Sequence, residues 1–268
     1  MNGGSEFRLG GSEDLGNGLK ADFSWAFVNN HNSGGAPGVT ATTAARTATG
    51  GSTDQNLNAV TSYQSHVGLS GDFGSVKLGQ QWAPMTLVTF TYDAMGGAAT
   101  SGNLVNNASQ IANSVTYNSP SIAGVTLSVQ GSTNATQADG TSKQSNGYSL
   151  SYSVGAFSAA YGSNTVGTAK AIAAMGASYD FGMAKLFLST KTQTGTSDAT
   201  GYGVSVPFGA ATLIASASSQ GTGVSDYTLV AKYNLSKRTV AYVQNRVADA
   251  TAAGKAATTN SIGIQHAF

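Results

Sequence analysis

The chain has no cysteine, only 4 prolines in 268 residues, and charge on only 9% of its positions. The missing cysteine fits an oxidising compartment as well as any other. The scarcity of charge says more, because an ordinary soluble domain carries roughly a quarter charged residues as its polar coat. Low charge combined with abundant Gly, Ser, Thr and Asn is also the composition of disordered chains. Here the 9% aromatic content argues against disorder, since Tyr, Phe and Trp recur at intervals along the whole chain. Long apolar runs are absent too. The longest small-apolar stretch, Ala171 to Ala177, is far short of the 18 or more residues of a spanning helix. That excludes a helix-bundle membrane protein but not a barrel, whose strands need only about 9–11 residues each. Met1-Asn2-Gly3-Gly4 has neither the basic region nor the apolar core of a signal peptide. A net charge of +1 leaves no nucleic-acid footprint.

What the chain does have is period two. Leu19, Ala21, Phe23, Trp25 and Phe27 alternate with Lys20, Asp22 and Ser24; Val125, Leu127 and Val129 alternate with Thr126, Ser128 and Gln130. The same holds for Tyr148, Leu150 and Tyr152 against serines, and for Tyr227, Leu229, Ala231, Tyr233 and Leu235. Successive strand side chains point to opposite faces, so each segment has one apolar and one polar face. A soluble sandwich alternates in the same way, and two further features separate the cases. The charges Arg8, Lys20, Lys77, Lys185 and Lys232 all fall on the polar phase. The connections also alternate in length. Short turns at Glu13–Asn17, Gly71–Gly74, Ser119–Gly124, Val154–Ala156, Asp180–Gly182, Pro207–Gly209 and Asn234–Lys237 interleave with longer polar loops near 30–60, 84–111, 131–146, 162–170, 192–198, 219–225 and 247–258. Short turns at one rim and long loops at the other are the habit of bacterial outer-membrane barrels.

The segments between these connections number about fifteen, an odd count where bacterial single-chain barrels are even. They lie near 4–11, 18–29, 61–70, 75–83, 112–119, 124–131, 147–154, 156–163, 171–180, 183–191, 199–207, 209–218, 226–234, 238–246 and 259–268. The expected fold is all-β: an antiparallel up-and-down transmembrane barrel occupying 1–268 as a single domain.

Several segments resemble trimeric general porins of the β-proteobacterial outer membrane. Gly11-Ser12-Glu13-Asp14-Leu15-Gly16-Asn17-Gly18-Leu19-Lys20-Ala21 is similar to that family's first periplasmic hairpin. Val67-Gly68-Leu69-Ser70-Gly71-Asp72-Phe73-Gly74-Ser75-Val76-Lys77-Leu78-Gly79 and Asn113-Ser114-Val115-Thr116-Tyr117-Asn118-Ser119-Pro120 follow in the family's order. Tyr233-Asn234-Leu235-Ser236-Lys237-Arg238-Thr239 and Gly263-Ile264-Gln265-His266-Ala267-Phe268 resemble its last turn and last strand. The resemblance implies a homotrimer of barrels of about 16 strands, the porin size. It implies that the third external loop, 84–111, folds inward as a constriction, and that the family's first strand, which would precede Ser5-Glu6-Phe7-Arg8-Leu9, is absent here. An absent strand would leave unpaired backbone groups at membrane depth, which is costly. It also implies that His266 and Phe268 belong to the C-terminal signal read by the barrel-assembly machinery; the other reading of the same residues is lipid-facing packing.

In that family the constriction sets basic side chains on the wall against acidic ones on the loop, and such fixed charges select the permeant ion. The pattern is thin in this chain. Gln80 stands where the family usually has an arginine, Gly10 and Thr116 stand at two other customary basic positions, and Asp93 is the one acid of the candidate loop. The expected pore lining is Arg8, Lys20, Asp22, Lys77, Gln80, Asp93, Lys185 and Lys232, with Glu6 and Lys191 on the same phase. Lysines outnumber carboxylates there, which predicts a weak anion preference. The alternative is that several of these lysines sit solvated near a rim without influence on flux.

Other motifs carry less. Asp72-Phe73-Gly74 and Asp180-Phe181-Gly182 spell the kinase metal-binding tripeptide, but no nucleotide loop accompanies them, and at two short turns they read as turn chemistry. His31, His66 and His266 have no metal-site spacing, and no serine stands in a nucleophile motif, so neither a metal site nor an enzyme is expected. The tripeptides at Asn107, Asn134 and Asn234 match the glycosylation pattern only as chance matches do. Phe23, Trp25, Phe27, Trp82, Tyr148, Tyr152, Tyr227, Tyr233 and Tyr242 are expected as lipid-facing anchors and interface girdles. The expected function is passive diffusion of ions and small hydrophilic solutes through an outer-membrane channel without a cofactor. A solute-specific channel and a non-conducting adhesive or structural barrel are the alternatives.

Overall fold

The computed structural model describes residues 4–30, 61–97, 110–136, 142–195, 198–221, 224–248 and 257–268. Most of the expected loops 30–60 and 247–258, and the second part of 84–111, lie outside the described residues. The strands are β1 (Gly4–Gly16), β2 (Leu19–Asn30), β3 (Thr61–Gly71), β4 (Gly74–Trp82), β5 (Gln110–Asn118), β6 (Val125–Thr136), β7 (Ser142–Val154), β8 (Phe157–Val166), β9 (Ile172–Asp180), β10 (Lys185–Gln193), β11 (Ala199–Phe208), β12 (Ala211–Gln220), β13 (Val224–Asn234), β14 (Thr239–Ala248) and β15 (Ala257–His266). All pair antiparallel with their sequence neighbours in one 15-stranded sheet, ordered β1 to β15. Among the described residues, β1 and β15 each have a partner strand on one side.

The sheet is inside out relative to a soluble protein. Leu9, Trp25, Val67, Leu78, Val129, Leu150, Met175, Leu188, Leu229 and Ile264 lie exposed on the outer face. Ser114, Thr116, Gln130, Ser145, Asn164, Ser178 and Thr228 lie buried on the inner face. In water that arrangement would forfeit about 1.5–3 kcal/mol for each large apolar side chain left exposed. In a bilayer the outer face is the buried one, and antiparallel pairing satisfies the backbone there. No helix of the described residues is long and apolar enough to cross a membrane; the crossing elements are strands.

Turns at one end close as expected. The Gly16 amide donates to Asp14 Oδ1 at 2.9 Å and the Gly182 amide to Asp180 Oδ1 at 2.8 Å, so Asp14-Leu15-Gly16 and Asp180-Phe181-Gly182 are turns whose carboxylates accept backbone amides. Phe181 stacks beside Tyr179 with ring centroids 4.6 Å apart, while the Tyr117 hydroxyl donates to the Phe73 carbonyl at 2.8 Å. At the other end β6 and β7 reach Thr136 and Ser142, beyond the expected 131 and 147. Past the lipid band both faces meet water, so the polar–apolar alternation that marked the strand fades while the hydrogen-bond ladder continues.

The chain then turns into the barrel. Gly79 adopts φ +137 at a bulge between β4 and β5, and a side chain there would run into the Ser65 carbonyl and lie 2.9 Å from His66 Cα. Four residues further on, extended Ala83 leads into Pro84, whose ring suits a first helical position. A short helix, α1 (Pro84–Thr91), follows, packed across the inner faces of β6 to β10.

Candidate functional site: the pore lining and its inward loop

Met85, Val88 and Tyr92 recur at helical spacing and bury one stripe of the loop against Ala174, Ala160 and Ile172 of the wall. The wall accepts the loop because it presents glycines under it. A Cβ on Gly162 would lie 2.9 Å from Met85 Cα, and one on Gly203 would lie 2.5 Å from Ala94 Cβ. At Gly176 an added Cβ would overlap Tyr92 Cβ and lie 2.6 Å from its Cγ. Beyond the helix, Met95 packs with Ile214 and Val230, with Ala94 and Tyr242 alongside. Tyr92 Oη and Ser158 Oγ share a hydrogen bond of 2.7 Å, which anchors the loop's turn to β8.

Two aromatics expected on the lipid face belong instead to this inner packing. Tyr242 sits on the lumen phase of β14, over Gly263 and against the Met95 cluster. Trp82 meets Phe90 edge-on at 5.1 Å, next to the point where the bulge has rotated the end of β4.

Asp93, the acid of the loop, is 5% exposed and accepts the amides of Met95 at 3.1 Å and Gly97 at 2.8 Å. Its carboxylate therefore organises the loop's own turn. The outward stripe of α1 is Leu87, Phe90 and Thr91, and the Thr91 hydroxyl donates back to the Leu87 carbonyl at 2.8 Å.

Across the lumen, β1 to β4 carry a connected group of charged side chains. Arg8 holds Glu6 through Nε at 2.9 Å and Nη2 at 2.6 Å, and its Nη1 donates to Ser24 Oγ at 3.2 Å. Asp22 lies 3.2 Å from His66 Nε2 and 3.9 Å from Lys77 Nζ. Asp22 and Lys77 meet over Gly68, where a Cβ would come within 2.9 Å of Asp22 Oδ1 and 3.0 Å of Lys77 Cγ. The structure thus gathers Arg8, Asp22 and Lys77 of the expected lining with Glu6 of the same phase, and joins His66 to them.

The remaining expected residues stand apart. Gln80 is half-buried opposite Ser65, at the bulge. Lys20 faces Asp14 and Ser70 beside the first short turn. Lys185 faces Asp180 and Ser205, its Nζ 5.3 Å from the Phe187 ring centroid. Lys232 lies between Thr212 and Tyr242. One pair escaped the sequence reading: Arg246 Nε donates to both carboxylate oxygens of Asp226, at 2.9 and 3.1 Å, with the Asp226 side chain 5% exposed. Its signal was available, since Tyr242, Gln244 and Arg246 share one strand phase; reading Tyr242 as lipid-facing hid it. At the C-terminus, His266 Nδ1 and Thr239 Oγ1 are 2.8 Å apart, and the His266 ring stands edge-on to Phe268 at 4.7 Å.

A cylinder of outward apolar side chains around a polar lumen, crossed by an inward loop, is a water-filled channel. Comparisons with known proteins agree. The chain is similar in structure to an anion-selective porin from Comamonas acidovorans, with 24% identity over 98% of this chain and 89% of that one, and a TM-score of 0.68. A triple mutant of the Rhodopseudomonas blastica porin matches at 15% identity over 99% and 90% of the two chains, TM-score 0.69. An OmpT of Vibrio cholerae, an outer membrane protein with loop L8 deleted, matches at 12% identity over 97% and 89%, TM-score 0.66. At these identities the likeness is one of fold. No curated protein matches the chain in sequence. The family model described as Gram-negative porin matches residues 1–253, and the chain therefore belongs to the Gram-negative porins, outer-membrane β-barrels through which ions and small solutes diffuse passively.

Proposed function

We propose that this porin is a weakly anion-preferring general channel whose narrowest passage lies between the inward loop and the wall formed by β1 to β4. The observation that carries the reading is the fate of the carboxylates. Asp93 is folded into its own turn, Glu6 is held by Arg8 and Asp226 by Arg246. The loop side of the passage then presents no exposed carboxylate among the described residues, while Lys77, Lys185 and Lys232 remain on the lumen phase of the wall beyond the pairs Arg8–Glu6 and Arg246–Asp226. In a water-filled pore a net excess of fixed positive charge raises the local concentration of anions and lowers that of cations. The preference is weak because Asp22 offsets part of the field of Lys77. A structural neighbour described as an anion-selective porin supports the sign. On this reading the porin works as a homotrimer, and the exposed His266 and Phe268 serve recognition by the barrel-assembly machinery.

Reversal potentials in a potassium chloride gradient across planar bilayers test the proposal. A chloride-to-potassium permeability ratio above one is expected, and clear cation preference would refute it. Openings in steps of three would support the trimer, whereas silence would favour an adhesive or structural barrel.

A further inference from the structure

The two sides of the passage differ in chemistry as well as charge. On the loop, the stripe that faces away from the wall consists of Leu87, Phe90 and Thr91. Leu87 is 47% exposed although it lies inside the barrel, where other large apolar side chains of the loop are buried. Thr91 contributes no free donor to this stripe, because its hydroxyl is spent on the Leu87 carbonyl. Phe90 is kept in place by the edge of Trp82.

The sheet order decides what this stripe looks at. Helix α1 lies on β7, β8 and β9, and β8 is the middle strand of a 15-stranded sheet. In a closed curve the strands opposite the middle one are those at the two ends, so the exposed stripe looks towards β1 and its neighbours. Those neighbours carry Arg8 with its partner Glu6, and Lys77 and His66 beside Asp22. A solute in the passage thus meets a charged, hydrogen-bonding wall on one side and a hydrocarbon surface on the other.

We infer that the passage favours amphiphilic organic anions, namely small carboxylates with an apolar body, over equally charged polyhydroxylated ones. The carboxylate takes hydrogen bonds from the Arg8 guanidinium and the Lys77 ammonium while the aliphatic or aromatic body slides along Leu87 and Phe90, displacing weakly held water from that stripe. The inference rests on the anion preference proposed above and names its substrate class.

The test uses the whole porin in planar bilayers with two anions of one carbon skeleton. Hexanoate and gluconate each have six carbons and one carboxylate, and gluconate bears five hydroxyls in addition. Bi-ionic reversal potentials give their permeability ratio in the parent protein, in Leu87→Asn, which keeps the side chain's forked shape but makes it polar, and in Leu87→Met, which keeps it apolar. The hexanoate-to-gluconate ratio is expected to fall by about threefold in Leu87→Asn, the scale of losing part of one apolar contact, and to be retained in Leu87→Met. An unchanged ratio in Leu87→Asn, with chloride still preferred over potassium, overturns the inference and leaves the anion reading standing. A preference for potassium over chloride overturns both.

Discussion

The seat of the inward loop gives the sharpest test of the structure. Replacing Gly176 by alanine puts a methyl group 2.6 Å from Tyr92 Cγ and 2.7 Å from its Cδ2, with Tyr92 Cβ closer still. Carbon atoms pack at about 3.5–4.0 Å, so something must retreat by about 1 Å. The overlapped atoms are at the root of Tyr92, so turning the ring does not relieve them and the loop backbone must move into the lumen. Overpacking of this kind costs about 1–3 kcal/mol. The same change recovers about 0.4–1 kcal/mol by restricting the unfolded chain, leaving a net loss of about 0.5–2 kcal/mol.

Gly131 is the internal control, because a Cβ there meets only Asn146 Oδ1 at an ordinary 3.7 Å. Gly131→Ala should therefore be neutral or slightly stabilising. Denaturant unfolding in detergent micelles reads the stabilities, and single-channel recording reads the opening. Gly176→Ala should lower both midpoint and unit conductance, while Gly131→Ala lowers neither. Equal behaviour of the two variants would refute the description of the loop as lying directly on a glycine-lined wall.

Further expectations follow from the charged groups and the loop's anchors. Asp226→Asn leaves Arg246 with a neutral partner; it should cost about 1.5–3 kcal/mol, the worth of hydrogen bonds to a charged group, and raise the chloride-to-potassium ratio measured by reversal potential. Lys77→Gln should lower that ratio, because it removes a lumen cation and leaves the Asp22 carboxylate without the ammonium 3.9 Å away. The selectivity itself should weaken in salt, since the screening length shrinks from about 10 Å at 0.1 M to about 3 Å at 1 M, which gradients at the two concentrations would show. Tyr92→Phe removes the bond to Ser158, worth about 0.5–1.5 kcal/mol, and should speed hydrogen–deuterium exchange of residues 84–97 without changing the exchange of β8.

The barrel was legible in the sequence because its physics is local. A strand between lipid and water must alternate, and Tyr148, Leu150 and Tyr152 against Ser149, Ser151 and Ser153 record that directly. The short turns were equally plain, since Asp14, Asp72 and Asp180 stand before the glycines that tight turns need. Strand ends were less so: β6 and β7 run on through Ser, Asn and Thr, where nothing apolar marks one face. The helix α1 escaped because eight residues give little more than two turns of periodicity, yet Pro84 at its start and Met85, Val88 and Tyr92 at spacings of three and four were its trace.

The lining was legible as a phase but not as a site. Period two placed Arg8, Lys20, Asp22, Lys77, Lys185 and Lys232 on one face, and the structure keeps them there. It could not say which of them meet, because Asp22, His66 and Lys77 come from three strands and are joined only through register, with Gly68 as the gap between two of them. The single loop acid shows the limit most clearly. In sequence Asp93 is the natural counter-charge to a basic wall. In the structure, the backbone turn from Asp93 to Gly97 points the Met95 and Gly97 amides back at the carboxylate and satisfies it within five residues. Held by those amides and 5% exposed, the carboxylate keeps its charge but offers a passing cation no direct contact. The electrostatics of this pore therefore turns on a local turn that no count of charges would weigh: the same composition with Asp93 freed would set an acid opposite Arg8 and Lys77 and pull the selectivity towards neutrality.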